Sequence, residues 1–533
     1  MKGSETLFDI DILKKAGVKV PEIDAQTLRE NTFRNPKWVH FGVGNIFRGF
    51  IANIQQHLVE KKIDDTGIIG IELYDEGIVS TLRKFNNQTL AISINPDGTF
   101  NIELVLSLVD VFYGDPVSED WKAIRSIFES ESLQICSLTI TEKGYNLKNA
   151  SGEYFDAVTS DMTSGPLAPK STVGKISSLL YHRFKTTGYP ITLVSFDNIA
   201  KNGLKLKESI IEVAQAWVNN KFAEEKFLEY LETNVAYPWT MIDKIVPNPS
   251  QEIAQILKEM GIEVLHATMT DKKSFVANFV NMESVHYLVI ENNFAGTRPA
   301  FECGENNIFV TGREDVERFE RMKVTACLNP LHTALAVFGC LLGYKKISDE
   351  MQDALLVKLV EGVGEEGVRV VEKPSIIEPR DFLDEVLKRR LPNRYMPDTP
   401  QRIATDTSQK IPIRFGETLA AYASANSLSA KSLKFIPLVI AGWLRYLLAV
   451  DDNGNHIELS PDPLLDELRS KLGSIEFGRP ETFKDQLKSI LSSKQLFKVD
   501  LYEAGIGERV EELFKRMIAG TGAVRKTLIN EVL

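Results

Sequence analysis

The chain has 533 residues, more than one hydrophobic core usually holds, so at least two domains are expected. Its 43% apolar and 25% charged residues are those of a globular protein, and 62 basic against 73 acidic residues, net −11, argue against a nucleic-acid or anionic-membrane surface. No run of about 18 apolar residues appears, and the N-terminus MKGSETLFDIDILKK carries acids where a signal peptide would be apolar, which predicts a cytoplasmic protein with no membrane partner. Cys136, Cys303, Cys327 and Cys340 form no CxxC pair, and the seven histidines form no HxxxH or HxH pair. Free thiols and no metal are expected.

In chain order, the first motif is KWVHFGVGNIFRGF, Lys37 to Phe50. Trp38 to Phe41 reads as a buried strand, Gly42 and Gly44 as a tight turn, and Ile46 to Val59 as a helix. Such a turn lets the amides of Asn45 and Ile46 at the helix start approach a pyrophosphate, although Phe47 stands where the third glycine of a GxGxxG fingerprint would be. A second strand, Gly67 to Leu73, ends with Glu72, and Asp75 follows. An acid here can accept both ribose hydroxyls of NAD and repel the extra phosphate of NADP; Glu72 lies 72 − 44 = 28 residues past Gly44. Asp75 also suits a cap for the following helix. Further strands are predicted at Ile102 to Val111, Leu133 to Thr141 and Pro190 to Ser195, with helices at Trp121 to Phe128 and Val173 to Phe184 between them. That alternation predicts a parallel sheet with its ligand beyond the carboxyl ends of the strands, where TEKGYN (from Thr141) and FDNIAKNG (with Asp197, Asn198, Lys201 and Asn202) fall.

From about Val285 the alternation fades, and helices are predicted at Lys323 to Tyr344, Asp349 to Gly362, Phe382 to Arg390, Ile413 to Ala425, Phe435 to Leu448, Pro463 to Leu472 and Val510 to Ile518. The fold expected is an α/β Rossmann-type N-terminal domain, 1–285, and a mainly α-helical C-terminal domain, 286–533. The segment RMKVTACLNPLHTALAVFGCLLGY opens the second with three polar groups ahead of an apolar helix. Lys323 can exchange a proton, Asn329 can orient an oxygen and His332 can donate to it, a sufficient set for carbonyl/alcohol chemistry without a metal. Nine residues, however, set Lys323 and His332 on opposite faces of an ideal helix. A bulge, a kink or a new helix start is therefore required, and Pro330 supplies a local cause.

Eight stretches in order, HFGVGNIFRGF, SLTITEKGYN, VSFDNIAKNG, YPWTMIDKIVP, VIENNFAGTRPAF, KVTACLNPLHTALAVFGCLLGY, RIATDTSQKIPIR and GWLRYLLAVDDNG, resemble the polyol-specific long-chain dehydrogenase/reductase family, which includes mannitol 2-dehydrogenase, fructuronate reductase and tagaturonate reductase. The resemblance implies NAD(P) dependence and metal-free hydride transfer. It assigns Lys323 as the catalytic lysine, Asn329 and His332 as the oxyanion-stabilising pair, Asn198 and Asp243 as holders of sugar hydroxyls, and Arg394 as the substrate arginine. The family usually places the asparagine five and the histidine eight residues after the lysine; here the separations are 329 − 323 = 6 and 332 − 323 = 9.

Together these readings predict NAD-dependent reduction of a keto-uronate such as fructuronate to mannonate, with Arg394 or Lys201 opposite the carboxylate. Gly42, Gly44, Asn45, Ile46, Glu72, Asp75 and Thr141 would hold the cofactor. The alternatives are a mannitol 2-dehydrogenase or other polyol dehydrogenase, a tagaturonate reductase, and a sensor that binds NAD or a sugar acid without turnover. A small sugar acid or polyol is the expected partner; no assembly signature appears.

Overall fold

Residues 8–264, 268–425 and 427–533 are described by a computed structural model, and the chain divides into a first unit ending at Glu317 and a second from Arg318 to Leu533. In the first unit, six strands form one parallel sheet: β1 (Trp38–Phe41), β2 (Ile68–Glu72), β5 (Leu108–Tyr113), β6 (Ile135–Leu138), β7 (Ile191–Ser195) and β8 (Val235–Ala236). Their spatial order, β5-β2-β1-β6-β7-β8, is the doubly wound order of a Rossmann sheet. Successive side chains leave opposite faces. Val39, Phe41, Cys136, Leu138, Ile191 and Leu193 enter one core, and Trp38, Ile135 and Val194 the other. Burial on both faces explains why these strands read as unbroken apolar runs.

The segment Ile102 to Val111, expected as one strand, is two. Strand β4 (Phe100–Val105) pairs antiparallel with β3 (Thr89–Ile94), and β5 then joins the parallel sheet. Between them Gln56 Oε1 accepts the Leu106 amide at 2.6 Å and Ser107 Oγ donates to the Ala52 carbonyl at 2.6 Å, which draws the backbone out of the strand. Strands also continue past the expected boundary at 285. After a short pair, β10 (Thr268–Met269) and β11 (Phe275–Val276), β12 (Phe279–Glu283) adds to β3, and a second three-stranded sheet joins β9 (Thr240–Asp243), β13 (Tyr287–Glu291) and β14 (Ile308–Thr311).

The second unit is helical. A nearly continuous helical run, which begins at Arg313 in the last residues of the first unit and ends at Leu342, is long and apolar enough to cross a membrane but is mostly buried in protein, as a core helix is. Its last part, Asn329–Leu342, packs against Ala354–Val368, Pro400–Ala404 and Phe435–Tyr446. The helix expected from Asp349 to Gly362 is a short turn, Ile347–Glu350, followed by Ala354–Val368, because Asp353 caps a new start by accepting the Leu355 amide at 3.0 Å.

Candidate active site

The first unit places a glycine turn at the topological switch point. Strands β1 and β6 are neighbours whose sequence connections leave in opposite directions, and a crevice opens beyond their carboxyl ends. Gly42 has φ +88°, and a Cβ there would lie 2.2 Å from the Thr139 carbonyl oxygen, so only glycine fits. Gly44 differs: a Cβ on it would meet nothing within 4 Å. No packing demand explains that glycine. Asn45 and Ile46 open the helix that follows; Asn45 Oδ1 accepts Arg48 Nη2 at 2.8 Å. Below the turn, His40 bridges Ser137 Oγ (2.6 Å) and Thr139 Oγ1 (2.9 Å), and Thr139 Oγ1 donates to the Gly42 carbonyl at 2.9 Å. Burial holds His40 neutral, well below the usual histidine range.

The two acids after β2 have distinct places. Buried Glu72 accepts the amides of Val43 (3.3 Å), Tyr74 (3.0 Å) and Asp75 (3.2 Å), which ties the glycine turn to the end of β2. Burial raises its carboxyl above the usual value despite those three donors. Asp75 takes the capping role, accepting Gly77 N at 3.0 Å and Thr270 Oγ1 at 2.5 Å. On the same edge of the sheet Thr141 adopts φ +61°, unusual for a β-branched residue, held by Asp197, which accepts the amides of Ile140 and Thr141 at 2.9 Å and the Tyr145 hydroxyl at 2.6 Å. Asn198 follows directly. Asp243 ends β9, buried, opposite Tyr287, and Lys201 (φ +55°) lays its ammonium 5.5 Å from the Trp239 ring centre.

In the second unit the irregularity required between Lys323 and His332 is present. Lys323–Cys327 is a π-turn, closed by the Leu328 amide on the Lys323 carbonyl at 3.1 Å, five residues back. A π-turn absorbs one extra residue in an α-helix, and one is what separates this spacing from 5 and 8. Leu328 then leaves helical geometry (φ −130°, ψ −63°), and Pro330 lies in the first turn of the next helix, where its missing N–H costs nothing. Lys323, which is buried, and the half-buried Asn329 and His332 thus share one helix entrance.

Sequence reasoning missed the charges around His332. His332 Nε2 lies 3.9 Å from Asp398 Oδ2, and Asp398 also pairs with Arg402. Burial, reinforced by Arg414, Arg390 and Arg402 and opposed by Asp398, brings His332 down to about 4. It is neutral at pH 7. Arg414 Nη1 donates to Thr333 Oγ1 at 2.7 Å and to the Asn329 carbonyl at 3.4 Å. Arg394, the expected substrate arginine, is exposed and stacks on its neighbour Tyr395, donating to its hydroxyl at 2.6 Å. The stretch RIATDTSQKIPIR carried the missing cations, Arg402, Lys410 and Arg414, but short helices and a π-turn lie between them, so no spacing marks a shared face.

One further cluster has the donor set of a metal site. Ligand atoms of His57, Glu60 and Glu103 lie within 4.8 Å of one another. The Lys19 ammonium reaches all three, at 3.3 Å from His57 and 3.2 Å from Glu60 and in contact with Glu103, so the cluster is a charge network already holding a cation.

Residues 36–303 match the mannitol dehydrogenase Rossmann domain and residues 315–518 the mannitol dehydrogenase C-terminal domain. The chain belongs to the mannitol dehydrogenase family. The D-mannonate oxidoreductase of Thermotoga maritima is 54% identical over 525 residues, 98% of this chain and 97% of that protein. Two solved structures share the fold of this mannitol dehydrogenase family member. One is a D-sorbitol dehydrogenase in substrate-free form (TM-score 0.74, 24% identity, 93% of this chain and 97% of that one). The other is the Pseudomonas fluorescens mannitol 2-dehydrogenase in ternary complex with NAD and D-mannitol (TM-score 0.67, 21% identity, 99% and 98%).

Proposed function

We propose that this mannitol dehydrogenase family member is an NAD-dependent, metal-independent oxidoreductase of CH–OH groups that interconverts fructuronate and mannonate. The observation that carries the reading is the π-turn at Lys323–Cys327, which absorbs the extra residue and sets a buried lysine just ahead of the helix start at Asn329 and His332. The 54% identity to a D-mannonate oxidoreductase supports the sugar acid as substrate.

The residues present fit a dinucleotide. The open space over Gly44, the helix start at Asn45 and Ile46, Glu72 at the end of β2 and Thr141 in the segment that follows β6 surround the switch point. When bound, NADH supplies the hydride. Asn329 and neutral His332 hold the substrate oxygen as negative charge develops on it, each such donor contributing about 3 to 4 kcal/mol. Lys323 delivers the proton that completes the alcohol, and in the reverse direction takes it away. Asn198 and Asp243 orient sugar hydroxyls. The partners are small molecules and the compartment is the cytoplasm.

The test is NADH oxidation with fructuronate, tagaturonate and fructose in parallel, with NADPH as the cofactor control. Preference for fructuronate is expected; preference for fructose would establish a polyol dehydrogenase, and silence on all three would favour a sensor. Lys323→Ala is expected to lower kcat by about 10² to 10⁴ with NADH affinity unchanged. An active Lys323→Ala variant would remove the lysine from the mechanism.

A further inference from the structure

We infer that Arg414 is the residue that reads the carboxylate of the substrate and so sets preference for a sugar acid over a neutral ketose. The inference rests on the fructuronate reading above and names the group that selects for it.

Three features of Arg414 single it out. Both of its hydrogen bonds to protein run through Nη1, to Thr333 Oγ1 and the Asn329 carbonyl, which fixes the guanidinium against the turn that carries Asn329 and His332. Nε and Nη2 are left for a ligand, and that edge of a guanidinium matches a carboxylate through two parallel bonds. Among the described residues no carboxylate lies within 4 Å of Arg414, and none within 4 Å of Lys410, whose ammonium is tethered to the carbonyls of Ile403 (3.1 Å) and Thr405. Two partly buried cations near one another, neither paired with an acid, repel each other, and an anion placed between them would relieve that repulsion. Burial brings Arg414 down to about 10, and Arg414 in turn adds to the lowering of Lys410 that burial begins, as expected of such a pair.

The neighbouring cations do not share these features. Arg402 is paired with Asp398, and Arg394 is exposed on Tyr395. Arg414 is also anchored from below: it belongs to the π-turn Pro412–Gly416, and the helix that continues from it sends Thr418 Oγ1 to the Thr325 carbonyl at 3.1 Å, inside the π-turn of Lys323. The reader of the carboxylate and the proton donor are thus braced on each other. A guanidinium fixed before the substrate arrives loses little freedom on binding it.

Arg414→Met and Arg414→Lys are compared with the parent protein for kcat/KM on fructuronate, fructose and fructose 6-phosphate, with a melting curve for each. Arg414→Met is expected to lower the fructuronate-to-fructose ratio of kcat/KM on the order of 100-fold or more, mostly through KM, and Arg414→Lys to recover part of it. Equal losses on both substrates would overturn the inference and leave Arg414 a support for the Thr333 turn. An unchanged ratio would overturn it too, as would a parent enzyme that prefers fructose 6-phosphate. Should Arg414→Met fail to fold, the folded Arg414→Lys variant decides: weaker inhibition by mannonate with unchanged inhibition by mannitol supports the inference, and parallel changes refute it. A parent protein silent on fructuronate defeats the proposed function itself, an outcome distinct from a parent that turns it over with a ratio indifferent to Arg414.

Discussion

Deleting Thr325 probes the geometry on which the proposed chemistry rests. Lys323 and His332 are nine residues apart, which in an unbroken α-helix at about 100° per residue would set them about 180° apart. The π-turn takes one residue out of the helical count and Leu328 then leaves helical geometry, so the opposition of an ideal helix does not apply to this pair. Removing Thr325 turns the π-turn into an α-turn and leaves the flanking register unchanged. The variant loses the bond from Thr325 Oγ1 to the Arg321 carbonyl (2.7 Å) and the one from Thr418 (3.1 Å), about 1 kcal/mol each. Restored α-helical bonding offsets part of that. Its kcat/KM is expected to stay within about tenfold of the parent. Inserting one Ala after Cys327 instead turns Asn329 and His332 by about another 100°. Two oxyanion donors at about 3 to 4 kcal/mol each then miss the oxygen, and because such groups act as a unit a loss on the order of 10⁴-fold is expected. Steady-state NADH oxidation, with melting curves to confirm folding, separates the two variants. A deletion that melts like the parent yet loses 10³-fold or more, on the order of the insertion, would show that the π-turn is not an absorbed residue, and the reasoning fails.

The two glycines after β1 should respond in opposite ways. Gly44→Ala is expected to weaken NADH binding about tenfold or more with melting unchanged, since its Cβ meets only open space; Gly42→Ala should lower stability by about 1 to 3 kcal/mol, since its φ is +88° and its Cβ would press on the Thr139 carbonyl. Titration calorimetry and thermal melts distinguish them, and matching behaviour would refute the assignment. The charge network supplies a pH test. Burial alone would lower His57, yet Glu103 at 2.9 Å and Glu305 at 3.0 Å outweigh it and hold His57 up to about 9. A raised value stabilises the fold fully below the unfolded value of about 6.5 and is lost as pH rises through 9, a change of about 3 kcal/mol. Urea unfolding at pH 6 and above pH 9 should show that loss in the parent and not in His57→Gln; equal pH dependence would refute it.

Much of this was legible in the sequence because it is local. The strand at Trp38–Phe41, the glycine turn and the helix after it follow from apolar period and from glycine's permissiveness, and the structure repeats them residue for residue at β1. The break at Leu106 and Ser107 was not legible, since its partners, Gln56 and Ala52, lie some fifty residues away. Strands β9, β13 and β14 were not read because they lie outside the strand–helix alternation, and each is held by a non-local pairing. The lysine-to-histidine spacing required an irregularity, and Pro330 marked one of the two present, the new helix start at Asn329, but not the π-turn. The π-turn lies before the proline, which begins the next helix instead. The cations near His332 were hidden for a similar reason: spacing identifies a shared face only within one regular helix, and Arg390, Arg402 and Arg414 stand on separate elements.

Irregular backbone and basic side chains coincide in this chain. Among the described residues there are four π-turns, Phe47–Ile51, Lys323–Cys327, Val386–Arg390 and Pro412–Gly416, and each carries a cation: Arg48, Lys323, Arg390 and Arg414. Arg48 is fully buried, donates only to Asn45, Thr89 and the Ala277 carbonyl, and is brought down to about 10 by burial with no carboxylate within 4 Å among the described residues. It sits next to the glycine turn proposed to face a pyrophosphate, and Arg414 is proposed to face a carboxylate. An extra helical residue and an unneutralised buried cation each reduce stability, and selection for stability alone would remove both. Their pairing at these two turns is accounted for if each place is completed by an anion that the folded chain does not itself contain, so that binding energy offsets what folding gives up.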